Sequence, residues 1–252
     1  MAPRTVKRTA PRSASTSAVA LIHGRNAVLE AARAGRVVRV YQASGLGHDP
    51  RLDELARLTR IEVVATERLD VIAPGVHQGV AAELKPRREW TLKDLLATNP
   101  SLLVALDSIM DPQNLGAILR SAEVAGAEGA IIPEHRSAPL SPAAVKASSG
   151  ASELLRIVRV SGLPSTIPEI KRSGIWCVAL DPRGEMQAWD FDFTQRVCVV
   201  VGSEGEGVHR LVKERCDARV RLPVKGHIAS LNASAAASAI LYEVMRQRAA
   251  NV

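Results

Sequence analysis

Short apolar runs alternate with amphipathic ones through residues 19–85. In NAVLEAARA (26–34), Val28, Leu29 and Ala32 share one side of a 3.6-residue repeat and Gly35 follows as a stop, which predicts a helix. LDELARL (52–58) reads as a short amphipathic helix, and VVRVYQA (37–43), IEVVAT (61–66) and GVAAEL (79–84) read as strands. Together they predict a small α/β unit over 19–85. The composition then shifts: Lys85, Arg87 and Arg88 cluster around Pro86, and residues 86–99 read as a linker carrying a short helix. From residue 100 the apolar runs become nearly continuous: SLLVALD (101–107), GAIIP (129–133), LLRIVRV (154–160), GIWCVAL (174–180), RVCVVVG (196–202) and ARVRLPV (218–224). Apolar strands of this kind, alternating with helices, predict a parallel sheet covered on both faces. The expectation for 100–252 is a doubly wound α/β domain with its ligand site at the strand ends. No internal repeat runs through the chain.

At 252 residues the chain suits one large domain or two small ones. Aromatic residues are only 3%, so the core has to come from Val, Ile, Leu and Ala, and a base-stacking platform has little material. The net charge of +7 favours a polyanionic partner, because basic side chains displace counterions from phosphates. Residues 1–18 carry Arg4, Lys7, Arg8 and Arg12, with no acid before Glu30. They read as a disordered basic tail, open to an RNA contact, to no role at all, or to organelle targeting. Cys177, Cys198 and Cys216 are odd in number and lack metal-ligand spacing, which predicts free thiols in a reducing compartment and no metal site. No apolar run approaches the roughly 18 residues of a membrane span. The N-terminus has no signal-peptide core, and the expected address is the cytoplasm.

Three strand-to-loop junctions hold the candidate chemistry. In LDSIMDPQNLGAILRSAEV (106–124), Asp111-Pro112 ends a strand and Asn114 is positioned to cap the next helix. Leu115, Ile118, Leu119 and Ala122 make its core stripe, while Gly116 and Arg120 lie four apart on another face. That pair admits two readings: a packing glycine beside a surface arginine, or a backbone open to another molecule beside a fixed guanidinium. In VVVGSEGEGV (199–208), glycines 202, 205 and 207 suggest a phosphate loop, but Glu204 and Glu206 would repel a phosphate at close range. A neutral or cationic ligand, a hydroxyl needing an acceptor, or a plain turn fits better. In RLPVKGHIASLNASAAASAILYEVMRQ (221–247), Pro223 ends a strand, and Ser230, Leu231 and Asn232 precede a helix of small residues.

Taken in order, N-x-G-x-x-x-R (114–120), G-S-E-G-x-G (202–207) and L-P-x-x-G-x-x-x-S-L-N-x-S-x-A (222–236) resemble the three signature motifs of the SpoU family of RNA ribose 2′-O-methyltransferases. Upstream, IHGRNAVLEAARAG (22–35) and GVHQGVAAEL (75–84) are similar to the small RNA-binding domain of the large-subunit rRNA guanosine methyltransferases in that family. The resemblance covers about residues 20–248. It departs at Val224-Lys225, where relatives often carry Met-x, and at Ala233, where Val is common; neither removes a polar group the chemistry needs.

The resemblance implies a trefoil-knotted parallel-sheet domain behind a small N-terminal RNA-binding domain, S-adenosyl-L-methionine as cofactor, and a homodimer. It implies that Arg120 is the catalytic arginine, with Asn114 and Glu204 orienting it and the ribose, and Ser230 and Asn232 shaping the site. An arginine pKa above about 12 makes a simple proton acceptor unsuitable, and stabilising the developing alkoxide suits it better. The cofactor would rest on Gly202, Leu222 and Leu231, with Leu180 and Gly205 beside them. The helix 233–247 is the expected dimer face, with packing onto its own sheet as the alternative. His23, His77 and His227 read as structural or RNA-contacting, since none has a carboxylate at a telling spacing. The expected substrate is a guanosine in 23S rRNA; the alternatives are another rRNA nucleoside, as in antibiotic-resistance relatives, or tRNA. A non-catalytic RNA-binding protein is disfavoured by the complete polar set. A nicotinamide oxidoreductase is disfavoured because SIMDPQNLG (108–116), not G-x-G-x-x-G, follows the first strand of the unit.

Overall fold

The computed structural model describes residues 20–86, 88–227 and 230–249. The tail expected at 1–18 lies outside the described residues. The described residues form two sheets. The first holds β1 (Ala20–His23), β2 (Val37–Ala43), β3 (Ile61–Val64) and β4 (Val80–Leu84) in the order β1-β4-β2-β3. β2 and β3 run parallel, and β4 is antiparallel to β1 and β2. Helices α1 (Arg25–Arg33), α2 (Pro50–Leu58) and α3 (Thr66–Ile72) connect them. The sequence pattern shows neither β1 nor α3.

The second sheet is parallel throughout. After α4 (Leu92–Ala97) come β5 (Leu102–Asp107), α5 (Pro112–Val124), β6 (Gly129–Pro133), α6 (Pro142–Ala147), α7 (Ala151–Leu154) and β7 (Arg156–Val160). Then follow α8 (Leu163–Arg172), β8 (Trp176–Leu180), β9 (Met186–Gln187), β10 (Val197–Gly202), α9 (Arg210–Arg215), β11 (Ala218–Arg221) and α10 (Ala233–Ala249). The spatial order is β7-β6-β5-β10-β8-β11-β9. Winding runs outward from β5 through β6 to β7, then resumes on the far side of β10. The switch therefore falls between β5 and β10, where such sheets open a crevice at the carboxyl ends of their strands. In register, Asp107 pairs with Gly202 as the last residue of each.

Alternation along the strands explains the two covered faces. Leu102, Val104 and Leu106 of β5 join Val197, Val199 and Val201 of β10 in one core, under α5 and α10. Leu103 and Ala105 join Cys198 and Val200 in the other, under α4, α8 and α9. Each of these side chains is buried, and burying a Val or Leu is worth about 1.5–3 kcal/mol. The small unit docks on α6 and α7: Val145 inserts into its core, Lys146 Nζ donates to the Val76 carbonyl at 3.0 Å, and Arg36 forms an ion pair with the buried Glu153.

Candidate active site

Asp111, not Asn114, caps α5. Its carboxylate accepts from the backbone N–H groups of Gln113 (3.1 Å) and Asn114 (3.2 Å), and Pro112 takes the first helical position. Asn114 lies inside the first turn, so its side chain is free to leave the helix. Gly116 serves packing and not ligand approach: a Cβ there would sit 2.4 Å from the Ala144 carbonyl oxygen of α6. Arg120, one turn on, is exposed and makes no hydrogen bond or ion pair among the described residues.

The 202–207 loop folds back on its own strand. The Gly207 N–H donates to the Ser203 carbonyl at 3.0 Å, with Gly205 and Gly207 at φ +85° and +67°. A Cβ on Gly202 would fall 2.0 Å from Gly207 C, so the strand end needs glycine because the loop crosses directly over it. This closure aims Glu204 at the first and third junctions. Asn114 Nδ2 donates to Glu204 Oε1 at 2.9 Å. Asn232 Nδ2 donates to the same oxygen and to Asn114 Oδ1, the latter at 3.0 Å. Asn232 meanwhile caps α10, its Oδ1 accepting from the N–H groups of Ser234 (2.8 Å) and Ala235 (3.2 Å). One carboxylate thus ties together three loops that lie far apart in sequence.

Two cavities meet along this tie. The first, of about 500 Å³, is lined by Leu180, Gly202, Gly205, Leu222, Ser230 and Leu231, so the structure gathers all five residues expected to hold a cofactor together with the serine. Its far wall carries Asp181, which forms an ion pair with Lys213 at 2.9 Å. Burial would push the Asp181 carboxyl up, but the Arg183 N–H and the Lys213 ammonium outweigh it and hold the group below the usual carboxylate range. The second cavity, of about 650 Å³, shares Ser203, Glu204, Glu206 and Ala233 with the first and adds Asp111, Asn114, Arg136 and His209. Arg120 lines neither.

Sequence reasoning missed Asp107, Arg136, Asp181, His209 and Lys213. Asp107 and His209 carried a weak signal, one ending a strand and the other following the glycine loop by two residues. His77, expected to be structural or RNA-contacting, proves structural: it is buried, with Nδ1 accepting from Gly79 N–H at 2.9 Å and Nε2 2.8 Å from Asp70 Oδ1. His227 is exposed.

The sequence pattern of the SpoU rRNA Methylase family fits residues 101–242, and that of RNA 2′-O ribose methyltransferase substrate binding fits residues 21–90. The chain belongs to the SpoU family. Among its SpoU relatives, the 23S rRNA (guanosine-2′-O-)-methyltransferase RlmB of Pseudomonas syringae pv. tomato is 39% identical, over 85% of this chain and 90% of that one. The protein of the same name in Pseudomonas aeruginosa is 40% identical, over 84% and 90%. The crystal structure of the SpoU methyltransferase AviRb from Streptomyces viridochromogenes, solved with AdoMet, superposes with a TM-score of 0.77 at 30% identity, covering 91% of this chain and 90% of that one. No helix among the described residues is long and apolar enough to cross a membrane.

Proposed function

We propose that this SpoU protein methylates the ribose 2′-hydroxyl of a guanosine in 23S rRNA, with S-adenosylmethionine as donor. The observation that carries this reading is the hydrogen-bonded Asn114–Glu204–Asn232 set, whose Glu204 lines both cavities. The residues of the smaller cavity fit the donor. Leu180, Leu222 and Leu231 offer apolar surface to an adenosyl group, Gly202 and Gly205 bare the backbone, and Glu204 and Glu206 favour a sulfonium cation at the rim. When bound, S-adenosylmethionine supplies an electrophilic methyl group.

The chain's own part is positioning and charge. Glu204, fixed by two amides, is an acceptor for the 2′-hydroxyl, and Ser230 helps close the donor's side. Arg136 brings positive charge to a nucleotide cavity otherwise edged by Asp111, Glu204 and Glu206, and so offsets their repulsion of RNA phosphates. Arg120 stabilises the developing alkoxide. It lies six residues beyond Asn114, about 9 Å along the helix axis, so we infer that it serves the site of a second copy in a homodimer. The outward side of α10, with Tyr242 exposed while Ile240, Leu241 and Val244 pack inward, is the matching dimer face. The trefoil knot implied by the family would run through the β10 and β11 loops. The cytoplasm, with three free cysteines, is the proposed address.

The test is incubation with labelled S-adenosylmethionine and unmethylated 23S rRNA, followed by mapping of ribose methylation. Transfer to one guanosine is expected, and no transfer to any rRNA would overturn the reading. Arg120→Ala is expected to abolish transfer while S-adenosylmethionine still binds; loss of binding would remove the role given to Arg120.

A further inference from the structure

The larger cavity bears on which base the enzyme accepts. It is contiguous with the donor's cavity through Glu204, so a nucleoside with its ribose at Glu204 must place its base against the remaining walls. Two side chains on those walls, His209 and Glu206, stand in line with Asp107 behind them. Asp107, buried at the end of β5, accepts from the His209 N–H at 2.7 Å and lies 3.0 Å from His209 Nδ1. A carboxylate at this position fixes a proton on Nδ1 and turns Nε2 the other way. Nε2 faces Glu206 Oε2 at 3.7 Å.

Glu206 stands between Gly205 and Gly207, with its side chain 80% exposed at the cavity rim. Unlike Glu204, whose oxygen is engaged by two amides, it makes no hydrogen bond among the described residues. Its two carboxylate oxygens are free acceptors at the rim.

Of the four bases, guanine is the one whose Watson–Crick edge presents two adjacent donors, N1–H and the N2 amino group. Adenine and cytosine set one amino group beside a ring-nitrogen lone pair, and uracil sets its single N–H between two carbonyls; each turns a lone pair toward a carboxylate. Bases splayed out of an RNA fold are read on this edge. We propose that Glu206 is the residue that selects guanine, its carboxylate accepting from N1–H and N2–H. This rests on the methyl-transfer reading above.

The test uses a hairpin cut from 23S rRNA around the nucleotide the wild type methylates, made with guanosine or with inosine at that position. Inosine lacks only the 2-amino group. Wild type is expected to prefer guanosine by about 10–100-fold in kcat/KM, the range for one charge-assisted hydrogen bond. Glu206→Gln turns an amide N–H₂ toward the guanine donors, and its guanosine-to-inosine ratio is expected to fall to near unity. Because the side chain lies in solvent, the variant keeps its fold. A Glu206→Gln ratio equal to that of wild type would overturn the proposal, as would a mapped target other than guanosine. Absence of methyl transfer by the wild-type protein would instead overturn the parent reading.

Discussion

Gly202→Ala tests whether the donor's cavity depends on the loop crossing the strand end. The added Cβ would lie 2.0 Å from Gly207 C, 2.1 Å from Val208 N and 2.2 Å from the Gly207 carbonyl oxygen. All three are backbone atoms, and carbon contacts settle near about 3.5 Å. The 203–207 turn must therefore retreat by more than about 1 Å, taking Glu204 with it. The bond from Asn114 to Glu204, now 2.9 Å, would pass the limit of a hydrogen bond. Overpacking of this kind costs about 1–3 kcal/mol, or roughly 2–12 °C in Tm for a chain of this size. A displacement near 1 Å costs about 100-fold in catalysis. Calorimetric titration with S-adenosylmethionine and a thermal melt should show Kd weakened by about tenfold or more and a lower Tm. Gly205→Ala is the control: nothing lies within 4 Å of its added Cβ, and only the left-handed φ of +85° opposes it, at about 1–2 kcal/mol. If Gly202→Ala binds the donor within about twofold of wild type, or behaves like Gly205→Ala, the close crossing does not shape the site.

Mixing inactive Asn114→Ala and Arg120→Ala chains should restore about a quarter of wild-type activity. Half of randomly paired dimers are mixed and each carries one intact site; no recovery would mean that Arg120 acts within its own chain. Glu153→Ala strips the buried partner from Arg36 and should lower the unfolding free energy by about 3–5 kcal/mol in urea titrations, with a loss below about 1 kcal/mol speaking against the pair. In the small unit, side-chain and backbone bonds from Arg51, with help from Arg25, hold the Asp49 carboxyl well below its usual range. A depressed carboxyl stabilises the fold above its unfolded pKa, about 3.9, and loses that effect as pH falls. The stability gap between wild type and Asp49→Asn should therefore be full at neutral pH and shrink at pH 3; a gap that widens with acid would refute this.

What could be read from the sequence followed a physical divide. The β5 and β10 strands were legible because burial on both faces leaves a nearly unbroken apolar run. The three loops were legible because their polar residues recur in a family order that survives any local ambiguity. The Asp107–His209 pair was not, since its partners are 102 residues apart and meet only because β10 inserts next to β5. Helices α6 and α7 were not either: SPAAVKASSGASEL (141–154) has little amphipathic period, and its helices rest on packing between the two units. That missing helix also left Gly116 undecided, since its neighbour α6 was unseen. Asn114 and Asp111 are both good capping residues, and Pro112 at the first helical position makes Asp111 the cap.

The docking of the small unit on α6 and α7 has a geometric consequence. Val145, Lys146 and Glu153 seize it from segments that lead straight out of β6, whose end also carries Arg136. These contacts, and not the 86–99 connection alone, set the span between the small unit and Glu204. An RNA that touched both would have to hold its guanosine at that span, so the distance across the fold would favour folded RNA of matching dimensions before any base is read.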